Sequence, residues 1–392
     1  MCLSKVHPLD SGDAEKCVNY MSMQDMLKPF MTIVNIAGMH MPIKRGTTSN
    51  AMSVVYSVII QIVLWSTLCR FFIRSTDEVY TVESWMAVLS YVGFQFSGMY
   101  FGSATCVGIN KHLPKFFRQY DSYRDTYASA MDNASLRRCI KMLTLFAASV
   151  VVIVLPIAYF ISLHDVDPDV IYLKPMRLLP REYYPTVKAV FFIVFYVNVI
   201  QVEFFVILFY FLTYCLFKEF KQLNIQLSNK LDNQEGEEPA SHIERIRRQF
   251  EDTCSLVSTI SDVFMHMVGS GYAAAVPITC FMLYGLINDE LMKKEYTMLI
   301  TCIVINILMV GSTILTSVAL NIKAHSSLMY LLNADLSRLS DTSLNIINIF
   351  ITRLTTTKIG YTMYDLFTID SSTILMLSGT LLTYVLVVLQ FK

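Results

Sequence analysis

The sequence predicts an all-α membrane protein of seven transmembrane helices, with a cytosolic N-terminus and an extracellular C-terminus. Three observations carry that prediction. Hydrophobic residues make up 54% of the chain and charged residues only 16%, with mean hydropathy +0.48. Apolar runs of ~20 residues, enough to cross a hydrocarbon core of ~30 Å, recur along the whole length. Lysine and arginine collect in alternate connecting segments. Soluble domains carry about 25% charged residues, so lipid is the expected solvent. A length of 392 residues would allow two or three soluble domains, but the even spread of apolar runs argues for one polytopic bundle.

Residues 1–50 read as a cytosolic segment. Asp10, Asp13, Glu15 and Asp25 make its start too polar for a cleaved signal peptide. An apolar patch from Pro29 to Ile43 is too short to span and reads as a re-entrant or interfacial helix at the inner face. Spans are then placed near 51–73, 82–109, 141–163, 186–217, 262–287, 298–322 and 371–391. With the N-terminus inside, the inner segments 1–50, 110–141, 218–261 and 323–370 hold 22 of the 31 lysines and arginines. The positive-inside rule requires that orientation. It opposes a G-protein-coupled receptor, whose N-terminus is outside. The chain also lacks an Asp/Glu-Arg-Tyr triplet after the third span and an NPxxY pattern in the seventh. The sequon Asn133-Ala134-Ser135 falls in the cytosol and is expected to be unused.

Helical periodicity continues beyond the spans. Ile243, Ile246, Phe250, Val257, Ile260 and Phe264 share a face before the fifth span. Leu328, Leu332, Leu336 and Leu339 do so after the sixth, and Leu344, Ile347, Ile351 and Leu354 form a separate amphipathic helix before the seventh. Apolar stripes in water must be buried, either by extending the bundle or by joining subunits. Asp232–Pro239 reads as a flexible loop.

The nine cysteines form no CxxC pair and mostly sit in or beside apolar runs as small hydrophobes, so neither disulfide nor metal site is indicated. Net charge is zero, which gives no pointer to nucleic acid. No nucleic-acid partner and no cofactor are expected. Enzyme chemistry finds little footing: no two of the seven histidines lie closer than 24 residues, and Gly269-Ser270-Gly271 is too short for a nucleophile elbow. A transporter would show two repeats with paired broken helices, and the sequence contains no internal repeat.

The last span carries the most information. Thr373, Thr380, Thr383, Tyr384, Val387, Gln390 and Phe391 fall on one stripe at 3.6 residues per turn, opposite Leu375, Leu377, Leu382, Val385 and Leu389. Such a stripe either lines water or bonds across helices in a static bundle. Asp365 and Asp370 stand at its inner approach, where carboxylates attract cations or cap a helix.

The string Thr383-Tyr384-Val385-Leu386-Val387-Val388-Leu389-Gln390-Phe391 resembles, at all nine positions, the TYhhhhhQF signature of insect gustatory receptors, members of the insect chemoreceptor superfamily. Gly360–Asp370 resembles the stretch before that signature, and Lys28-Pro29-Phe30 with Gly38 and Pro42 fits the N-terminal pattern. The resemblance implies a plasma-membrane, tastant-gated cation channel of four copies of this or related chains. Residues 51–322 would be the ligand-binding bundle, 323–370 a cytosolic anchor, and 371–392 the pore-lining helix narrowing to Gln390 and Phe391. The sweet-sensing branch carries Glu where this chain has Val385, which leaves the bitter-type and fructose-type branches.

The resemblance puts a tastant pocket among the outer halves of the spans. These are rich in aromatics, including Trp85, Tyr91, Phe94, Tyr159, Phe195, Tyr196 and Tyr284, with Gln95, Asn198 and Thr279 as candidate polar anchors. The same aromatics would serve an interfacial belt. Glu203 is a mid-span carboxylate that either meets ligand or pairs inside the bundle, with Gln201 as one partner. Gly98 and Gly102 form a GxxxG that predicts close helix packing.

Overall fold

The computed structural model describes residues 22–40, 47–69, 82–127, 129, 131–149, 152, 180–232, 239–288, 296–334, 340–364 and 366–390. Helix α1, Met23–Ile36, forms because Met23, Met26, Leu27, Phe30, Met31 and Val34 recur at three- and four-residue steps and are all buried. It begins upstream of the predicted apolar patch. Its end is a Schellman motif: Gly38 takes φ +86°, its N–H donates to Asn35 O, and the Met39 N–H donates to Val34 O. A side chain at Gly38 would press on Ile60.

Among the described residues eight further helices and a short helical turn follow. They are α2 Thr47–Leu68, α3 Val82–Thr126, α4 Asn133–Ser149, α5 Tyr184–Asp232, α6 Pro239–Asn288, α7 Tyr296–His325, α8 Ser327–Leu332 and α9 Asp341–Thr356, with a 3-10 turn at Arg181–Tyr183. Pro185 and Pro239 open α5 and α6, where a missing N–H costs no hydrogen bond. Asp132 caps α4 by accepting from Ser135 N at 3.0 Å, and Ser340 caps α9 by accepting from Ser343 N. The third predicted span is followed to Ser149; its remainder, with Tyr159, lies outside the described residues apart from residue 152. Among the described residues four helices are long and apolar enough to cross a membrane.

Helices α3, α5 and α6 run 45, 49 and 50 residues. At 1.5 Å per residue that is ~70 Å, more than twice the hydrocarbon thickness. Each therefore has an apolar half and a polar half. In the polar half the predicted stripe of α6, Ile243, Ile246, Phe250, Val257, Ile260 and Phe264, is buried throughout, and it is buried within this one chain. Phe250 packs against Phe220 of α5 and Phe350 of α9, with ring centroids 5.5 and 5.0 Å away. The stripe after the sixth span departs from expectation: the helix breaks at Ser326, and in α8 Leu331 is buried while Leu332 is exposed.

Among the described residues the fold departs from all-α at one place. Thr362–Met363 (β1) and Phe367–Thr368 (β2) pair antiparallel, Thr362 with Thr368 and Met363 with Phe367. The Leu366 N–H closes the turn on Met363 O, and Tyr364 in that turn adopts φ +49°. This hairpin docks on the bundle and leads into α10, Ser371–Gln390.

Candidate functional site

Helix α10 starts from an N-cap built by Asp370. Its Oδ1 accepts from Ser372 N, Thr373 N and Ser372 Oγ, at 2.9, 3.3 and 2.5 Å, while its own N–H donates to Thr373 Oγ1. The Ser372 hydroxyl holds the carboxyl below its ordinary value. Asp370 therefore organises the start of the helix. Asp365 and Phe391 lie outside the described residues.

Above the cap the helix is tied down on one side only. Thr373 is 2% exposed, and Ile374 and Leu377 pack on the core. Thr373 thus belongs to the subunit core and not to an open stripe. Beyond Leu377 almost nothing covers the helix. Leu375, Leu382 and Leu386 are exposed on one set of faces, and Thr383, Tyr384, Val387 and Gln390 on the other, with Thr380 half-buried. The Thr380 and Thr383 hydroxyls donate to Met376 O and Gly379 O of their own helix. Their remaining lone pairs are left on the exposed side.

The hairpin joins this helix to the rest of the bundle. Tyr361 is buried, its hydroxyl 2.8 Å from Thr213 Oγ1 of α5 and its ring 5.0 Å from that of Phe209. Thr362 N donates to Ser261 Oγ of α6 at 3.0 Å. Tyr364 meets His266 of α6 edge to face, centroid to centroid 5.5 Å, and its hydroxyl interacts with that of Tyr100 of α3. Its hydroxyl is pushed up to about 12, first by burial and then by Tyr100. Phe367 packs on Tyr272. Nothing in the sequence reading singled out this arrangement; the short alternation of Thr, Met, Phe and Thr was its only signal.

The predicted pocket anchors are buried, but on three different interfaces. Gln95 donates to Thr67 of α2 at 2.6 Å. Thr279 accepts from Asn306 of α7 at 3.1 Å. Asn198 faces Gly98, where an added Cβ would stand 2.7 Å from its Nδ2, and Gly102 similarly faces Gln201. The GxxxG thus admits two amides of α5 against α3. Tyr196 and Tyr284 are half-buried, whereas Trp85, Tyr91, Phe94 and Phe195 lie on α3 and α5 with side chains outside the described residues.

Gln201 does not pair with Glu203. It accepts from Gln61 of α2 at 2.9 Å and donates to Ala37 O, while Ser103 donates to Gln61 and Trp65 to Ser103. Gln61, Ser103 and Trp65 of this chain line a 930 Å³ groove between α2 and α3, with Val54, Val58 and Ile62 on its apolar side. Gln61, an amide flanked by isoleucines in the first span, was the missed signal. A second missed network lies in the polar half. Buried Glu219 accepts from Tyr120, Tyr123 and Ser129, at 3.2, 3.4 and 2.5 Å, and Gln249 donates to Tyr123. Buried Arg124 donates to Asn133 of the sequon at 2.6 Å.

Fold and site together define a multi-span membrane protein built almost entirely of helices. The sequence profile described as 7tm Chemosensory receptor matches residues 27–392, and the chain belongs to that family, a class of receptors and not of enzymes. Two solved structures share the fold. The insect olfactory receptor OR5 from Machilis hrabei superposes with TM-score 0.61 at 14% identity, over 94% of this chain and 99% of that one. The same receptor in complex with eugenol gives TM-score 0.58 at 14% identity, with the same coverage. No curated protein matches the chain.

Proposed function

We propose that this chain is a gustatory receptor subunit: one of four around a tastant-gated, non-selective cation pore lined by α10, in the plasma membrane with its N-terminus in the cytosol. The observation that carries the reading is the exposure of α10 on opposite faces above Leu377. One such face suits lipid. The other, with Thr383, Tyr384, Val387 and Gln390, needs water or neighbouring copies, because polar groups are costly against hydrocarbon. The polar half supports assembly as well. The α6 stripe is consumed inside the subunit, yet Met329, Leu332, Ile349 and Leu366 remain 50–78% exposed. These residues, rather than the α6 stripe, would join subunits in a cytosolic anchor.

The TYhhhhhQF signature favours a gustatory assignment over an olfactory one, and Val385 favours the bitter-type or fructose-type branches. The complex of the fold relative with eugenol shows that one receptor of this fold holds a small aromatic molecule, and a tastant pocket among the outer halves of the spans is the corresponding expectation here. Whole-cell recording from cells expressing this chain alone, with G proteins blocked, tests the reading against bitter compounds and simple sugars. A ligand-evoked cation current supports it. Current that requires G proteins, or flux coupled to an ion gradient, overturns the channel mechanism. Gln390→Ala or Phe391→Ala should raise resting current; unchanged leak and unchanged ligand response in both would remove the gate from these residues.

A further inference from the structure

A cleft of 460 Å³ opens between the polar halves of α3 and α6. Lys115, Arg118, Gln119 and Ser122 line one wall, and Asp252 and Ser255 the other. Lys111, Lys115 and Arg118 follow one another at steps of four and three, so they share the exposed face of α3. None of the three forms an ion pair among the described residues; Arg118 Nε donates only to Pro114 O, at 3.3 Å. The one acid of the lining, Asp252, accepts from the Tyr127 hydroxyl at 2.9 Å through Oδ2 and sets one negative charge against the two lining cations. Arg245 and Arg248, the latter paired with Glu244 at 2.8 Å, act electrostatically on Tyr127 at the same end. The cleft therefore presents two cations, Lys115 and Arg118, against one carboxylate, beside amide and hydroxyl groups.

We infer that this cleft holds the phosphorylated inositol headgroup of an inner-leaflet lipid. The inference rests on the cytosolic placement of the polar half proposed above. Depth argues for a lipid. The apolar part of α3 ends near residue 109, so Lys111, Lys115 and Arg118 stand ~3–14 Å below the hydrocarbon at 1.5 Å per residue. That reaches through and just past the headgroup layer, where a ring carried beyond the phosphodiester places its phosphates. Size and donors argue for a ring. A single carboxylate would leave most of 460 Å³ empty, whereas ligand sites of ~300–1,000 Å³ take molecules of ring size and above. Basic pockets between membrane helices on the cytosolic side bind such headgroups.

The test uses the purified full chain in phosphatidylcholine nanodiscs and fluorescent dioctanoyl phosphatidylinositol bisphosphate. Saturable binding is expected, weakened about 5-fold by Lys115→Gln and about 25-fold by Lys115→Gln with Arg118→Gln, in variants that elute like the wild type. Lys141→Gln, an exposed cation of α4, should leave binding unchanged. No binding above dioctanoyl phosphatidylcholine, or equal binding by the double variant, overturns the site. Free inositol trisphosphate binding as tightly as the lipid overturns the lipid assignment. Binding needs no current: a chain that conducts without taking the lipid fails this inference alone, and one that takes it but never conducts fails the channel reading alone.

Discussion

Gly269→Ala should uncouple the hairpin from α6. A Cβ built on Gly269 would stand 2.8 Å from Tyr364 Cδ2 and 2.9 Å from Cζ, with Cε2 closer still. Optimal carbon contacts lie at ~3.5–4.0 Å, so the ring must move by about an ångström. It has little freedom to do so. Its backbone is held at φ +49° between the two strands, its hydroxyl interacts with that of Tyr100, and its ring meets His266 edge to face. Overpacking of this kind costs ~1–3 kcal/mol. The displaced segment leads directly into α10, so ligand-evoked current should change along with stability. Thermal denaturation of the detergent-purified protein, read by fluorescence size exclusion, should show Gly269→Ala melting several degrees below wild type. In a Tyr364→Ala background the same substitution should cost little, giving a coupling of ~1–3 kcal/mol between the positions. Equal effects of Gly269→Ala in both backgrounds would refute the contact.

Three further outcomes follow from hydrogen-bonded polar groups. Glu219→Ala leaves Tyr120, Tyr123 and Ser129 without their acceptor and should cost ~3 kcal/mol or more, read as loss of the monodisperse peak; Glu219→Gln should cost less, and equal elution of both with wild type would show the network to be idle. Tyr361→Phe removes the bond to Thr213 and should cost ~0.5–1.5 kcal/mol, measured as a lower melting temperature with the fold retained. Glu244, bonded by Arg247 and Arg248, has its carboxyl lowered from 4.5 to about 2. Its contribution is complete above pH 4.5 and is lost as pH falls through about 2. Because the pair is partly solvated, that contribution is ~1 kcal/mol after screening. Glu244→Gln should therefore narrow the stability gap between pH 6 and pH 3, and an identical gap in mutant and wild type would exclude the pair as its source.

Periodicity and charge by themselves determined the helical, multi-span class, the helices along the expected spans, and which residues of α6 would be buried. A 3.6-residue repeat of apolar side chains specifies a face wherever that face goes. The same logic placed Phe30 and Val34 in α1 and fixed Gly98 and Gly102 as points of close approach. What each face meets was decided only in three dimensions. Gln201 bonds Gln61, 140 residues away, and Glu219 collects donors about 90 residues upstream; such partners depend on the relative height of two helices, which no local pattern encodes. The hairpin at 362–368 is too short to carry a period, and the break at Ser326 shifts the buried leucine of α8 to Leu331. The last helix shows the division most plainly. Its sequence gathered Thr373 and Thr383 on one stripe, but tertiary packing buries the first and leaves the second exposed, because the bundle grips only the base of α10.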